Sequence, residues 1–248
     1  MKLKETSAIV VGGGSGLGAA TAEYLSEMGA QVHIIDRAQT EHSPKNVPFF
    51  EGDVTDTNSL QKAIKAIVEK SGSPRICVNT AGIVRGARII GKEGPMDLET
   101  FQQVININLV GTFNVMRLVS EYMTKDSPIG EAEERGVIIN TTSIAAYEGQ
   151  IGQAAYSASK GGVASMTLPV ARELAKFGVR VLAIAPGLME TPMLAGLPEK
   201  AKAQLTASTV FPKRLGKPEE FARLVGHIVE NPLFNGEVIR LDGAVRLQ

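Results

Sequence analysis

The sequence predicts an α/β protein built on one doubly wound parallel sheet of about seven strands, with helices on both faces. The first observation is that short apolar runs, each the length of one strand, alternate with longer segments of helical periodicity. The second is that a glycine-rich turn directly follows the first apolar run. The third is that 248 residues, 44% of them hydrophobic, can bury a large core. We therefore expect a single domain over residues 1–248.

Seven apolar runs are predicted to form the strands. They lie at residues 7–11, 31–35, 47–50, 75–79, 136–141, 178–184 and 236–241. Helices are expected in most of the gaps, so the strands run parallel and both faces of the sheet are covered. In sheets of this kind, ligands bind beyond the carboxyl ends of the strands. Residues that directly follow a strand are therefore the first candidates for a functional site.

The first strand runs straight into the glycine-rich turn, and a helical pattern follows. The turn contains Gly12, Ser15, Gly16, Leu17 and Gly18. Backbone N–H groups and the positive end of the helix dipole can meet a pyrophosphate there, and glycine permits its close approach. Many turns between a strand and a helix need glycine only for tight packing. After a buried strand, however, the turn favours a Rossmann-like dinucleotide site.

The second strand ends in Asp36, eighteen residues after Gly18. At about this separation an acidic residue meets the hydroxyl groups of the adenosine ribose. A carboxylate repels a 2′-phosphate, so Asp36 favours NAD over NADP. Arg37 is the alternative signal, because a basic residue just after the strand can receive that phosphate.

Tyr156 and Lys160 stand four residues apart in a helical pattern, with Ser143 thirteen residues before the tyrosine. Positions i and i+4 share one helix face, so the phenol and the ammonium project into the same space. An ordinary tyrosine has a pKa of about 10, and we expect the lysine charge to lower it towards the working range. The Ser143 hydroxyl would then hold a substrate oxygen. Alone, this spacing also arises by chance.

Together these residues resemble the short-chain dehydrogenase/reductase family over essentially the whole chain. Further motifs carry the resemblance: Asp53 with Val54, an N-T-A-G sequence at 79–82 where the family has N-N-A-G, Asn108 in a helix, and Pro186 with Gly187. Val11 replaces the threonine that usually leads the glycine turn. The resemblance implies a catalytic set of Asn108, Ser143, Tyr156 and Lys160. In that set, Asn108 anchors a water that links Lys160 to solvent.

The resemblance also implies which residues contact the ligands. Cofactor contacts are expected from Gly12, Ser15, Gly16, Leu17, Gly18, Asp36, Asp53, Val54, Thr80, Ala81, Gly82, Tyr156, Lys160, Pro186, Gly187, Met189 and Thr191. Substrate contacts are expected from Ser143, Gln150 and Tyr156. Gln150 and Gln153 fit a role in capping backbone groups equally well.

Within the family, the blocks at 135–162, 184–200, 211–216 and 231–248 are similar to the 3-hydroxyacyl-CoA dehydrogenases. This implies NAD-dependent, reversible oxidation of a 3-hydroxyacyl-CoA to a 3-oxoacyl-CoA, as in fatty-acid or branched-chain breakdown, with Tyr156 as the acid/base. The rival enzymes are an NADPH-dependent 3-oxoacyl-carrier-protein reductase and a hydroxysteroid or other secondary-alcohol dehydrogenase. A dinucleotide-sensing scaffold protein is the alternative from another class, and it would be expected to lack part of the catalytic set.

The segment 188–215 is predicted to be a small substrate lid. It carries apolar residues among prolines and glycines: Met189, Met193, Leu194, Leu197, Leu205 and Phe211. Methionines adapt to differently shaped ligands, although the same residues also fit simple packing of short helices. The extra segment 85–98 contains Arg85, Arg88 and Lys92, which would suit a CoA phosphate or an ordinary solvated face. A second extra segment, 126–135, has no predicted role.

Composition argues against several other classes. The 26 lysine and arginine residues balance the 26 aspartate and glutamate residues, so the protein has no net positive charge that would attract nucleic acid. Three scattered histidines offer no metal-ligand spacing, so no metal site is expected. Cys77, the single cysteine, is expected to be a small apolar filler in a buried strand.

The sequence also gives expectations about the cellular location and the oligomeric state. No apolar run reaches the roughly 20 residues of a membrane span, and the first strand begins too early for a signal peptide, so we expect a cytoplasmic protein. The resemblance implies a homotetramer that assembles through the fourth and fifth helices and the last strand. Apolar residues within 104–123 and 163–174 fit that interface, but they fit burial inside one subunit as well.

Overall fold

The computed structural model describes residues 1–195 and 205–247, and its centre is a seven-stranded sheet. The strands are β1 (Ser7–Val11), β2 (Gln31–Asp36), β3 (Phe49–Glu51), β4 (Ile76–Asn79), β7 (Gly136–Thr141), β8 (Val179–Pro186) and β9 (Val238–Leu241), while β5 (Ile90–Gly91) and β6 (Gly94–Pro95) form a separate small hairpin. The order across the sheet is β3-β2-β1-β4-β7-β8-β9, and every neighbouring pair is parallel. The predicted fold class is confirmed.

Helices cover both faces of this sheet, because the crossovers between its parallel strands carry them, except for the helix-free connection from β2 to β3. They are α1 (Gly16–Glu27), α2 (Thr57–Ser71), α3 (Leu98–Ile105), α4 (Gly111–Met123), α5 (Ala154–Ala175), the short α6 (Pro192–Ala195) and α7 (Pro218–Glu230). Successive residues of β1 enter different cores: Ala8 and Val10 pack with α1 and α7, and Ile9 and Val11 pack with α2 and α4. This double burial explains why the strands are uniformly apolar in sequence.

Strand boundaries differ from the predicted ones by one or two residues. The third strand covers 49–51 rather than 47–50, and β8 continues two residues further than expected, to Pro186. Proline fits at that position because it is the last residue of its strand. Cys77 is fully buried in β4, and burial raises its pKa to about 12, which fits the predicted role as an apolar filler.

Two charged side chains are buried at the amino end of β8, where the sequence predicts only an apolar strand. Arg180 donates to Glu134 over 2.6 Å, and both side chains are almost fully buried. The guanidinium also donates to the carbonyl oxygens of Ile228, Val229 and Phe234, at the end of α7 and in the loop after it. Arg180 therefore ties α7 to the sheet, and Glu134, from the extra segment 126–135, supplies its counter-charge.

The predicted lid lies only partly within the described residues. Met189 is buried against the core and pairs by a short bridge with Gly216, while Phe211 is exposed. Leu197 lies outside the described residues. Among the helices that the structure describes, none has both the length and the apolar character needed to cross a bilayer.

Candidate active site

A cavity of about 750 Å³ opens at the carboxyl edge of the sheet. The chain leaves β1 towards β2 on one side and later towards β4 on the other, so the order of strands reverses at this point and leaves a crevice. Segments that are distant in sequence converge here, and every cofactor and substrate residue predicted from sequence lines the cavity. Asn108 is the one predicted residue behind the wall, where it is fully buried.

The glycine turn packs directly on the segment that follows β4. A Cβ atom on Gly12 would lie 2.4 Å from the backbone nitrogen of Ala81, and one on Gly18 would lie 2.2 Å from the carbonyl oxygen of Gly12. The hydroxyl of Thr80 donates to the carbonyl oxygens of Val11 and Gly12, at 2.9 and 3.1 Å. Thr80, the departure from the N-N-A-G motif, therefore fixes the geometry of the turn.

The carboxylate of Asp36 stands at one end of the cavity and already holds two backbone groups. One oxygen accepts from the N–H of Gly14 at 2.9 Å, and the other accepts from the N–H of Arg37 at 2.8 Å. Each carboxylate oxygen has a further lone pair to offer a ligand hydroxyl. Thr40 and Ser43 donate to the carbonyl oxygen of Gly14, a support that no spacing in the sequence indicated.

Helix α1 begins at Gly16, so its free N–H groups face the cavity. Ser15 stands at the N-cap without a capping side-chain hydrogen bond. Together with the turn and Asp36, this donor set fits a dinucleotide: N–H groups suit the pyrophosphate and a carboxylate suits the ribose.

Tyr156 and Lys160 lie in the first two turns of α5, and Ser143 follows β7. The hydroxyl groups of Ser143 and Tyr156 share a hydrogen bond. The ammonium of Lys160 lies 5.9 Å from the centre of the Tyr156 ring and donates to the carbonyl oxygen of Thr141 at 2.7 Å. The structure therefore brings the three predicted catalytic side chains to one end of the cavity.

The pKa of Tyr156 is raised in this structure, not lowered as expected. Burial raises the pKa of Tyr156, and the hydrogen bond with Ser143 lowers it only in part. Burial also lowers the pKa of Lys160 to about 8. The physical reason is that a water-poor pocket penalises both charged forms, while the ammonium is directed to Thr141 rather than to the phenol.

Asn108 lies in a single π-helical turn, Asn106–Val110, between α3 and α4. Its side-chain oxygen accepts from the N–H of Ile83 at 2.8 Å, and its amide nitrogen donates to the Ile83 carbonyl and to Ser159. A Cβ atom on Gly82 would lie 3.2 Å from this side chain and 3.5 Å from the Lys160 nitrogen. Asn108 therefore braces the wall beside Lys160. Ser159, which the sequence analysis missed, links that brace to α5.

Part of the cavity wall is apolar. Its lining includes Leu188, Met193, Leu194, Leu205 and Leu247. Gln150 also lines it, and the side chain of Gln153 accepts from the Gln150 N–H at 3.0 Å, so Gln153 caps a backbone group. Leu247 was missed from sequence, because nothing in its spacing points to the cavity.

A second, open groove of about 650 Å³ adjoins the main cavity. It runs between Ala87–Ile89 and the loop 145–154, and it shares Gln150 and Gln153 with the main cavity. Arg88 lines the groove, whereas Arg85 and Lys92 do not. Of the three predicted basic residues, the structure therefore places one beside the site.

Comparison with known proteins gives the family. The family described as short chain dehydrogenase matches residues 6–202. The chain belongs to this family. The 3-hydroxyacyl-CoA dehydrogenases type-2 of Bos taurus and Homo sapiens are each 49% identical over 254 residues, which cover 99% of this chain and 97% of theirs. These matches confirm the resemblance read from the motifs.

A solved structure extends the likeness from sequence to fold. The 3-hydroxyacyl-CoA dehydrogenase type-2 from Mycobacterium avium superposes with a TM-score of 0.91 and 41% identity, covering 98% of this chain and 97% of that one. For a short-chain dehydrogenase, the crevice at the β1/β4 switch point is the expected place of the site.

Proposed function

We propose that this short-chain dehydrogenase catalyses the reversible, NAD-dependent oxidation of a 3-hydroxyacyl-CoA to a 3-oxoacyl-CoA. The observation that carries the proposal is the convergence of Ser143, Tyr156 and Lys160 at one end of a cavity whose other end carries the glycine turn and Asp36. The names of the similar proteins supply the substrate class. The intact catalytic set argues against a sensing or scaffold protein.

NAD fits the residues present. The glycine turn and the start of α1 would hold its pyrophosphate, Asp36 with Asp53 and Val54 its adenosine, and Pro186, Gly187, Met189 and Thr191 its nicotinamide end. The Asp36 carboxylate would repel a 2′-phosphate at close range. When bound, NAD supplies the acceptor for the hydride that leaves the carbinol carbon.

Proton transfer is carried out by side chains of the protein itself. Ser143 donates a hydrogen bond to the substrate oxygen and fixes it beside Tyr156, with which it already shares a hydrogen bond. Tyr156 takes the hydroxyl proton in oxidation and returns it in reduction. Because burial raises the pKa of Tyr156, the reaction needs a nearby positive charge when the phenolate forms, and the Lys160 ammonium, 5.9 Å from the centre of the Tyr156 ring, can supply it.

The substrate fits the apolar end of the cavity and the adjoining groove. In a 3-hydroxyacyl-CoA the apolar acyl chain lies on one side of the reacting carbon and the polar CoA on the other, and the lining of the cavity includes both apolar and polar side chains. Arg88 on the groove offers a cation to a CoA phosphate. That the segment 188–215 forms a lid remains a prediction. Residues 196–204 of this segment lie outside the described residues.

The proposed assembly is a homotetramer in the cytoplasm. Val110 and Phe113, at the start of α4, are each about half exposed, at 49% and 50%, and Leu168 on α5 is also exposed. Apolar side chains on these two helices support an interface between subunits. Sedimentation of the purified protein tests the tetramer, and fractionation of cells tests the location.

The deciding experiment measures reduction of acetoacetyl-CoA by the purified protein with NADH and, separately, with NADPH. We expect turnover with NADH and a clear preference for it. A strong preference for NADPH would instead favour the acyl-carrier-protein reductase. A ketosteroid tested beside acetoacetyl-CoA separates the steroid alternative, and cofactor binding without turnover of any alcohol or ketone would favour the sensing protein.

A further inference from the structure

The segment after β9 turns back sharply towards the active-site cavity. Gly243 and Ala244 both adopt left-handed backbone conformations, with φ of 57° and 65°. Asp242 stabilises the turn, because its side chain accepts from the N–H of Ala244 at 3.0 Å and its carbonyl accepts from the N–H of Val245. Val245 is fully buried, which fixes the path of the chain beyond the turn.

An ionic cluster then holds this segment against the loop that follows Ser143. Arg240 pairs through two hydrogen bonds with Glu148, at 2.9 and 3.2 Å, and also donates to Asp242 at 2.7 Å. Arg246 contacts both carboxylates, at 3.4 and 3.2 Å. The side chains of Glu148 and Asp242 are 20% and 9% exposed, so the two carboxylates are largely shielded from water, whereas Arg246 is mostly exposed. A bidentate pair of an arginine and a carboxylate fixes the relative orientation of the two side chains as well as bringing opposite charges together.

Glu148 connects this cluster to the wall of the cavity. Its carboxylate accepts from the backbone N–H of Leu247 at 3.1 Å. Leu247 lines the same cavity as Ser143 and Tyr156. Glu148 stands five residues after Ser143, beyond the 3-10 turn Ile144–Ala146. One carboxylate therefore sets the distance between the Ser143 loop and the Leu247 wall.

We propose that Leu247 is a specificity-determining residue that contacts the acyl chain beyond the reacting carbon, and that Glu148 is a positioning residue that holds Leu247 in place. The inference rests on the proposed function for the identity of the substrate. The polar groups Ser143, Tyr156 and Lys160 face the reacting carbon, whereas Leu247 offers only hydrocarbon. Each CH₂ group buried against such a wall strengthens binding by about fourfold.

The test compares acyl chains of two lengths on matched variants. Acetoacetyl-CoA and 3-oxododecanoyl-CoA are reduced by the wild type, by Leu247→Ala and by the control Leu233→Ala, whose side chain is 92% exposed and lies outside the cavity. We expect Leu247→Ala to raise KM about tenfold for the long chain. We expect kcat for both substrates and KM for the short chain to stay within twofold, and the control to change nothing.

Glu148→Gln tests the positioning role, with Glu121→Gln as its control because Glu121 forms an exposed pair with Lys125 on α4. We expect Glu148→Gln to raise the long-chain KM and leave short-chain kcat unchanged. Calorimetric binding of dodecanoyl-CoA gives a readout without turnover, and it should weaken in the same two variants. Thermal unfolding shows whether the Glu148→Gln protein is folded. If it is not, the KM and binding measurements on Leu247→Ala alone test the inference.

Two results would overturn the inference, and they are distinguishable. Equal losses on short and long chains in Leu247→Ala, or no loss on either, would show that Leu247 does not contact the acyl chain although the enzyme acts on it. A wild type that reduces no 3-oxoacyl-CoA but does reduce another ketone would overturn the proposed function itself, and the assigned acyl contact with it.

Discussion

The ammonium group of Lys160 lies 2.7 Å from the carbonyl oxygen of Thr141, the last residue of β7. This contact directs the charge of Lys160 to the end of the sheet rather than to the oxygen of Tyr156, although the two side chains lie one helical turn apart. Lys160 is also almost fully buried, and burial lowers its pKa to about 8. The cation that the proposed reaction needs is therefore lost at mildly alkaline pH.

We expect the reduction of acetoacetyl-CoA to lose kcat/KM as the pH rises through about 8. Below that pH Lys160 carries its charge, and above it the neutral amine no longer favours the phenolate that reduction leaves behind. A pH profile from 6 to 10 measures the break. In Lys160→Met the rate should fall about 100-fold and the break near pH 8 should disappear; a break that persists would assign it to another group.

Tyr156→Phe should abolish most of the activity and leave the fold intact. The phenol is the proposed proton donor and acceptor, and loss of such a group costs about 10²–10⁴-fold in rate. The change in kcat measures this, and NADH fluorescence measures whether the cofactor still binds. Tyr122→Phe is a suitable control, since Tyr122 lies on α4 and lines neither the cavity nor the groove. A folded, NADH-binding Tyr156→Phe protein with normal kcat would refute the mechanism.

Asp36→Asn should weaken the preference for NADH over NADPH by about tenfold or more. The amide oxygen can still accept the N–H of Gly14, so the glycine turn is kept, but the charge that repels a 2′-phosphate is gone. The ratio of kcat/KM with the two cofactors measures the effect. Glu51→Gln, at the exposed end of β3, serves as the control. An unchanged ratio would mean that Arg37 or another group sets the preference.

Glu134→Gln should lower the free energy of unfolding by about 3–5 kcal/mol, since it leaves Arg180 buried without its counter-charge. Chemical denaturation measures the loss. Glu121→Gln, which breaks an exposed pair, should lower the free energy of unfolding far less. The activity per folded molecule should not change, because the pair lies at the opposite end of β8 from the cavity. Equal losses in the two variants would contradict a special role for the buried pair.

The protein should become less stable as the pH falls below about 6.5, because of the buried side chain of His33. Burial lowers the pKa of His33 in the folded state, so the unfolded chain binds the proton more readily. The stabilisation from the neutral ring is complete above the unfolded pKa and declines as the pH drops below it. Urea denaturation at pH 7.5 and 5.5 should show a smaller loss in His33→Gln than in the wild type. The exposed His42→Gln should behave like the wild type.

The sequence alone determined the sheet and the place of the site. Apolar runs such as 7–11 and 136–141 predicted strands buried on both faces, because they are as short as strands and consecutive apolar side chains of a strand then enter two covered faces. Since all these strands run parallel, the segments that follow them meet at one edge. That is why the glycine turn, Ser143 and Pro186 could be assigned to one cavity from their positions in the chain.

Only the tertiary structure decided what each polar group meets there. Spacing predicted that Lys160 and Tyr156 share a helix face, but the hydrogen bond to Thr141 and the burial that raises the tyrosine pKa depend on neighbours from other strands. The pair of Glu148 with Arg240 spans ninety-two residues, and the same Glu148 carboxylate accepts from the N–H of Leu247, which lines the cavity. Local sequence fixes backbone periodicity, whereas desolvation and ion pairing depend on distances in space between groups that the chain order does not bring together.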